Sequence, residues 1–360
     1  MHKVVFKVAL LGLACLLAGE SYAQPVRRKI GFSGYVDADF SSEFGSDLSS
    51  PTHTTGLEAD LTTTLTFTPR VSAFIYTTLN DGAVPSQGAG NTWDDLNFDG
   101  VQVNWRYTKS TTVMVGDLTS GSGYFSYYRN KRTAAIVSEQ RVEGAGFRNG
   151  GLQAHTGVLV DSSGVSKEWS TYVEWKRPIN SVMTWMPSAR YTAGVEDAWP
   201  FQLGVTFEGR FENLVKVNAH FGMNYWNNDR DAGTVVLIEP SFNVDQFSFS
   251  GTLFYNDKGE VPAVNSVRQT ETRVLLDDFL FYFEPAYNFN KTFTVGLPLE
   301  YHNQRLTANR DESVWVVPTL YVNPAPTAQW TVWAQVTKPL VSGSAGYPFY
   351  GAGSEISFRF

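Results

Sequence analysis

The chain has 360 residues, 18% of them charged and 14% aromatic, with 31 glycines, 10 tryptophans and a formal net charge of -7. Its single cysteine, Cys15, excludes an intrachain disulfide framework and a cysteine-type zinc centre, and the acidic balance gives no electrostatic footprint for nucleic acid. No stretch approaches eighteen consecutive apolar residues beyond the N-terminus, which excludes a helical membrane protein.

At the N-terminus, His2, Lys3 and Lys7 flank an apolar run from Val4 to Ala18, followed by Ser21 and Ala23. A basic start, a short apolar core and a small-x-small ending predict a secretory signal over residues 1–23, cleaved after Ala23. The run is too short for a spanning helix. Gly12-Leu13-Ala14-Cys15, followed by Leu16 and Leu17, is a poor lipoprotein cleavage motif. Residues 24–360 are then expected to form a single domain, which the basic run Arg27-Arg28-Lys29 opens.

From Ile30 onward the pattern has period two. Phe32, Gly34, Val36, Ala38 and Phe40 alternate with Ser33, Tyr35, Asp37 and Asp39. Leu57, Ala59, Leu61 and Leu65 alternate with Glu58, Asp60, Thr62 and Thr64, and similar alternation runs through 169–176, 215–225, 247–255, 279–289, 293–301 and 330–336. Alternation of this kind predicts strands with one apolar and one polar face, and no comparable stretch keeps a helical period. Short turns are expected at Pro69-Arg70, Lys109-Ser110, Asn149-Gly150, Asp245-Gln246 and Asn290-Lys291. Longer Gly-, Ser-, Asn- and Asp-rich loops are expected over 41–55, 80–94, 119–133, 257–270, 303–312 and 339–349. About 18 strands result; 16 follow if 179–197, with its Met183-Thr184-Trp185-Met186-Pro187, contributes no hairpin. Glu239-Pro240, Glu284-Pro285 and Val317-Pro318 form a weak internal repeat whose prolines call for bulges or for positions near the rim that carries the short turns.

The last strand, Tyr350 to Phe360, places Tyr350, Ala352, Ile356, Phe358 and Phe360 on one face, with Gly351, Gly353, Glu355, Ser357 and Arg359 on the other. This ending resembles the closing strand of Gram-negative outer-membrane β-barrels of the porin-like type, which commonly terminate in Phe. The resemblance covers residues 24–360 as architecture and rests on no diagnostic motif. It implies an all-β, transmembrane antiparallel up-and-down barrel in the outer membrane, with long extracellular loops and short periplasmic turns. The implied partners are outer-membrane lipid, the barrel-assembly machinery (with Phe360 as assembly signal) and small hydrophilic solutes; a homo-oligomer is left open, and nucleic acid is not expected. A soluble sandwich also alternates. Against it stand an apolar parity with no second element type to cover it, and aromatics gathered near strand ends, such as Phe40, Phe67, Trp105, Trp199, Trp226, Tyr255 and Tyr301.

A barrel this wide has a lumen that side chains cannot fill. The parity opposite the apolar one predicts a lumen lined by Asp37, Asp39, Glu58, Asp60, Glu174, Lys176, Lys216, His220, Glu284, Glu300, Glu355 and Arg359. The 119–133 loop resembles, in position, the third extracellular loop that narrows porin channels. Its candidate constriction residues are Tyr124, Phe125, Tyr127 and Tyr128 for stacking, with Arg129, Lys131 and Arg132 setting the local field. His53, His155, His220 and His302 stand outside any recognisable hydrolase or metalloprotease motif, so no enzyme, catalytic residue, metal site or cofactor is expected. Asp94-Asp95 and Asp277-Asp278 are acidic loop pairs of the kind that sometimes collect Ca²⁺ and more often do not. The expected function is a porin-like channel for passive diffusion of small hydrophilic solutes or ions. The alternatives are a sugar- or hydrophobic-solute-specific channel and a non-conducting adhesin or structural barrel.

Overall fold

The computed structural model describes residues 29–45, 48, 51–83, 96–119, 141–159, 169–193, 201–212, 214–225, 233–257, 278–303, 312–340 and 348–360. The expected export segment 1–23, the constriction residues Tyr124 to Arg132, Asp94, Asp95, Asp277, Trp199 and Trp226 lie outside these. The described residues form eighteen antiparallel strands, three of them interrupted once. The first nine are β1 (Lys29–Phe44), β2 (Thr52–Thr68), β3 (Val71–Ala83), β4 (Leu96–Arg106), β5 (Thr111–Thr119), β6 (Arg141–Asn149), β7 (Leu152–Leu159), β8 (Trp169–Trp175, resumed at Arg177–Pro178) and β9 (Met183–Ala193). The rest are β10 (Phe201–Phe211), β11 (Val215–Tyr225), β12 (Gly233–Val244), β13 (Phe247–Asp257), β14 (Asp278–Asn288), β15 (Phe293–Gly296, resumed at Leu299–Asn303), β16 (Glu312–Val316, resumed at Thr319–Ala325), β17 (Ala328–Pro339) and β18 (Phe349–Arg359).

Each strand pairs with its sequence neighbours, and the ring closes where β1 pairs with β18 from Tyr35↔Arg359 to Phe44↔Tyr350. The seam reaches the last residue: Gly34 N–H donates to Phe360 O at 3.0 Å, and Phe360 N–H donates back to Gly34 O at 3.1 Å. Closure removes both sheet edges. In hydrocarbon an unpaired backbone group has no water to turn to, so a closed ladder is the only β solution there.

The hairpins are asymmetric. At the end where β1 begins and β18 finishes, successive strands are joined by two to four residues, as at 69–70, 150–151 and 245–246. At the other end the connections run from 7 residues (45–51) to 21 (120–140). Three short turns pass through the left-handed region, at Gly150 (φ 58°), Glu212 (φ 54°) and Asp245 (φ 50°). Several expected boundaries shift. The first loop contracts to 45–51 because β1 and β2 stay paired as far as Glu43↔Thr52. The turn expected at Asn149-Gly150 falls on Gly150-Gly151, since Asn149 still pairs with Leu152. Residues 183–193 form a full strand, paired with β8 and β10, which gives eighteen strands and not sixteen.

Pro240 and Pro285 sit four to five residues from the short turns, and neither shifts the register. Each interrupts one ladder: β12–β13 skips from Ile238↔Leu253 to Ser241↔Ser250, and β14–β15 from Phe283↔Leu299 to Ala286↔Gly296, the break of β15 at Leu297-Pro298 facing Pro285. β16 breaks at Pro318. The carbonyls of Pro298 and Pro318 remain bonded, accepting from Val317 N–H (2.9 Å) and Ala334 N–H (3.1 Å) respectively.

One parity carries the large exposed apolar side chains. Near the short turns these include Phe32, Trp175, Trp185, Phe211, Phe247, Phe293, Trp330, Phe358 and Phe360; near the long connections they include Phe40, Trp169, Tyr191 and Phe201. On β14 the outward Phe279 and Tyr287 stand eight residues apart, roughly 20 Å along the barrel axis for a strand tilted by about 40°. An apolar band of that height between aromatic belts matches the requirement of a bilayer.

Candidate functional site

With the aromatic parity outside, the other parity lines the interior of the closed sheet. Eleven of the twelve charged or histidine side chains expected in the lumen pair across strands on this parity; Lys176 lies in the break of β8, where its N–H donates to Gly151 O (2.7 Å). Neighbouring strands bring five of the acidic groups into one sector. Asp37 is directly opposite Glu58 on β2 and Ser357 on β18, and Asp39 is opposite Glu355. Tyr35 Oη donates to Glu58 (2.6 Å) and Thr78 Oγ1 donates to Asp60 (2.7 Å). Like charges directly opposite on a sheet are destabilising, so the sector is held against a local cost. Arg359 lies at the rim of the same sector, opposite Tyr35.

The cations collect far around the ring. Arg190 is buried at 2% exposure on β9, with its guanidinium 5.4 Å above the Tyr172 ring. Tyr172 in turn donates to Glu174 (2.7 Å) and packs against His155 at 5.2 Å between ring centroids. Nearer the short turns, Lys176 and Glu208 form an ion pair at 2.7 Å, with both side chains nearly half exposed. Beside that pair opens a recess of about 440 Å³, lined among others by Arg210, Lys216, Asn218, Glu239, Thr252 and Tyr282. Glu208 lines the recess too, and Asn218 Nδ2 donates to Glu239 (3.0 Å), so two cations and two carboxylates share it with Tyr282. In an eighteen-strand ring β10 is diametrically opposite β1, so the acidic sector faces one in which cations and carboxylates are mixed.

The remaining expected lumen groups are held by hydroxyls or burial. Glu284 accepts from Tyr321 Oη (2.5 Å) and from Tyr282 Oη. His220 is fully buried, with Nδ1 2.8 Å from Thr206 Oγ1, and Glu300 is buried. The histidines do not gather with nucleophile and carboxylate. Ser42 Oγ lies 2.8 Å from His53 Nδ1, but this pair sits on the outer face, away from the inner carboxylates. Among the described residues no cluster of His, Cys, Asp or Glu is placed to hold a metal ion.

Two features escape the alternation rule. The inner parity of β12 to β14 carries Val235, Leu237, Phe254 and Leu280, all fully buried against one another and Tyr282. Their signal in the sequence is loss of alternation, as in Val235-Val236-Leu237-Ile238 and Phe279-Leu280-Phe281-Tyr282-Phe283. At β5 the ladder to β4 ends at Gln102↔Gly116, while β5 stays paired with β6 as far as Thr119↔Arg141. Gly116 has φ 119°, and the carboxylate of Asp117 takes the Val101 N–H at 2.7 Å in place of a backbone partner. The hairpin that carries the 120–140 connection therefore parts from β4 at a built-in joint. That connection is the third of the long ones in chain order.

A closed ladder, paired aromatic belts and an inner face rich in charged groups define an eighteen-strand antiparallel barrel among the described residues. The fold is shared with several solved structures. The outer membrane protein OpdK from Pseudomonas aeruginosa superposes with a TM-score of 0.60 at 10% identity, over 92% of this chain and 98% of that one. OpdQ from the same organism gives 0.60 at 10% identity over 93% and 99%. Acinetobacter baumannii OccAB4 gives 0.56 at 10% identity over 94% and 100%. OpdK has also been solved with vanillate, in a structure that matches at 0.58. No family model and no curated protein matches the chain.

Proposed function

We propose that the protein is a porin-like outer-membrane channel through which small hydrophilic solutes diffuse passively. The observation that carries the reading is a closed ring whose inner face is charged: Asp37, Asp39, Glu58, Asp60 and Glu355 form an acidic sector, and across from it Lys176, Arg190, Arg210 and Lys216 are interleaved with Glu174, Glu208 and Glu239. An acidic sector facing a mixed one gives the lumen an uneven field, which orients a polar solute in transit. Passage also requires that no single contact bind too tightly. The exposed Lys176–Glu208 pair and the open recess beside it meet that condition.

The connection after β5 is the constriction in this reading. The joint at Gly116 and Asp117 supports it, since the β4 ladder ends at Gly116 while β5 and β6 stay paired to Thr119. The fully buried inner-face side chains Met114, Leu118 and Val142 at the same strand ends support it too. Tyr124, Phe125, Tyr127 and Tyr128 then border the passage, and Arg129, Lys131 and Arg132 bias it toward anions. Replacing those three cations with neutral residues is expected to move the reversal potential toward cation selectivity in planar bilayers; an unmoved potential removes the loop from the filter.

The recess favours solutes that join an anionic group to a ring, because Arg210 and Lys216 stand near Tyr282 there. Vanillate, present in one OpdK structure, is a solute of this kind. Proteoliposome swelling tests the reading. Vanillate is expected to enter faster than a neutral sugar of similar size, and Arg210→Gln with Lys216→Gln is expected to erase the difference. Equal rates in the wild type reject the anion preference, and no swelling with any solute rejects the channel.

A further inference from the structure

On the outer wall a row of small side chains crosses four strands. Ser42 pairs with Ala352, Ala352 pairs with Ala334, and Ala334 N–H binds Pro318 O. The next row toward the long connections is larger, with Phe44 opposite Tyr350 and Tyr350 opposite Val336. The step between the rows forms an elongated trough of about 370 Å³, lined almost wholly by carbon, with Phe44, Leu48, Pro318, Ala334, Val336 and Tyr350 among its walls. Leu48 borders it from the first connection with φ 56°, a conformation bulky residues seldom adopt. Its floor is Pro318, Ala334 and Gly351, with Gln335 the one amide among the lining residues; the neighbouring Ser42 hydroxyl is engaged by His53. One cation stands close by: Lys338 is exposed on the same face of β17, two residues beyond Val336 and about 7 Å nearer the long-connection end.

We propose that this trough holds an acyl chain of a phosphate-bearing outer-leaflet glycolipid of the lipid A kind, with Lys338 pairing the phosphate. The proposal rests on the outer-membrane reading above, which puts the long connections outside the cell and the trough at outer-leaflet depth. Bulk hydrocarbon gives no apolar driving force for one lipid over another, so a specific site needs shape and a polar anchor. The small-residue floor supplies the first and Lys338 the second. Glu312, diagonal to Lys338 on the same face, is engaged by Tyr301 Oη (2.6 Å), and Lys338 is the rim's cation among the described residues. That charge selects an anionic headgroup over a second copy of this chain, whose matching face would set Lys338 against itself.

The test uses the full chain, refolded in detergent, with purified hexa-acylated lipid A as probe and native mass spectrometry as readout. Wild-type protein is expected to retain lipid A adducts that phosphatidylglycerol displaces poorly. Ala334→Trp fills the floor and is expected to weaken retention by about tenfold; Lys338→Glu is expected to do the same without touching the wall's packing. Heat-modifiable gel mobility reports whether each variant is folded, and Lys338→Glu decides alone if Ala334→Trp is not. Retention unchanged in the folded variants overturns the site. Equal retention of phosphatidylglycerol overturns the glycolipid assignment. A dimer lost in Ala334→Trp makes the trough a subunit interface instead. Insertion and conductance of the wild-type protein are measured in parallel, so failure of the channel reading is seen separately from failure of lipid binding.

Discussion

At single positions, backbone geometry and charge make distinguishable demands. Gly116 and Gly150 both lie at positive φ, but a Cβ on Gly116 would come within 2.0 Å of Val101 O, whereas one on Gly150 meets nothing within 4 Å. Gly150→Ala is therefore expected to cost about 1 kcal/mol and Gly116→Ala about 3 kcal/mol, from conformational strain plus the clash. Urea unfolding of the refolded protein checks the order; equal costs would deny that Gly116 is a joint. Neutralising Asp37, Asp39 and Glu58 together is expected to shift the reversal potential toward anions and to raise stability slightly, because directly opposed like charges are removed. A loss of stability would mean that these carboxylates are structural. The parity of these acids was plain in the sequence. Their gathering into one sector was not, since it depends on β18 returning to pair with β1 across more than 300 residues. Arg190 stacked on Tyr172 was hidden for the same reason: each residue reads as an ordinary inner position until the register sets them side by side.

At the level of strands and connections, the alternating pattern was legible wherever one face met lipid and the other met polar groups. It gave no signal over 235–238, where both parities are apolar; the strand expected over 279–289 is present, but its inner Leu280 and Tyr282 are packed and not polar. Strand ends were misjudged where Gly, Ser and Asp suggested a loop, as at 41–44, although the ladder still supplied partners. The prolines at 240 and 285 behaved better than their reputation because the wall absorbs a missing donor without shifting register. The terminal strand yields a prediction of its own. Phe360 closes the ring through its backbone, so Phe360→Ala leaves both seam hydrogen bonds in place. Refolding yield in detergent is expected to stay within about twofold of wild type, because the seam is made by backbone groups. A larger fall would mean that the Phe360 side chain itself holds the ring closed.

Over the whole molecule, eighteen strands enclose a lumen too broad for wall side chains to seal. Its two faces carry opposite chemistries: aromatic belts bounding an apolar band outside, and inside an acidic sector facing one of mixed charge. Lipid outside and water inside satisfy both. The sequence disclosed this division early, because it is written locally, two residues at a time. The location of the cations relative to the acids, and the trough on the outer wall, emerge only when the ring is closed. The most direct test of the account is the current through a planar bilayer after adding refolded wild-type protein. Discrete, stable conductance steps are expected, with opposite shifts in reversal potential when the acidic sector or the Arg210 and Lys216 pair is neutralised. A correctly inserted, heat-modifiable barrel that passes no current would contradict it.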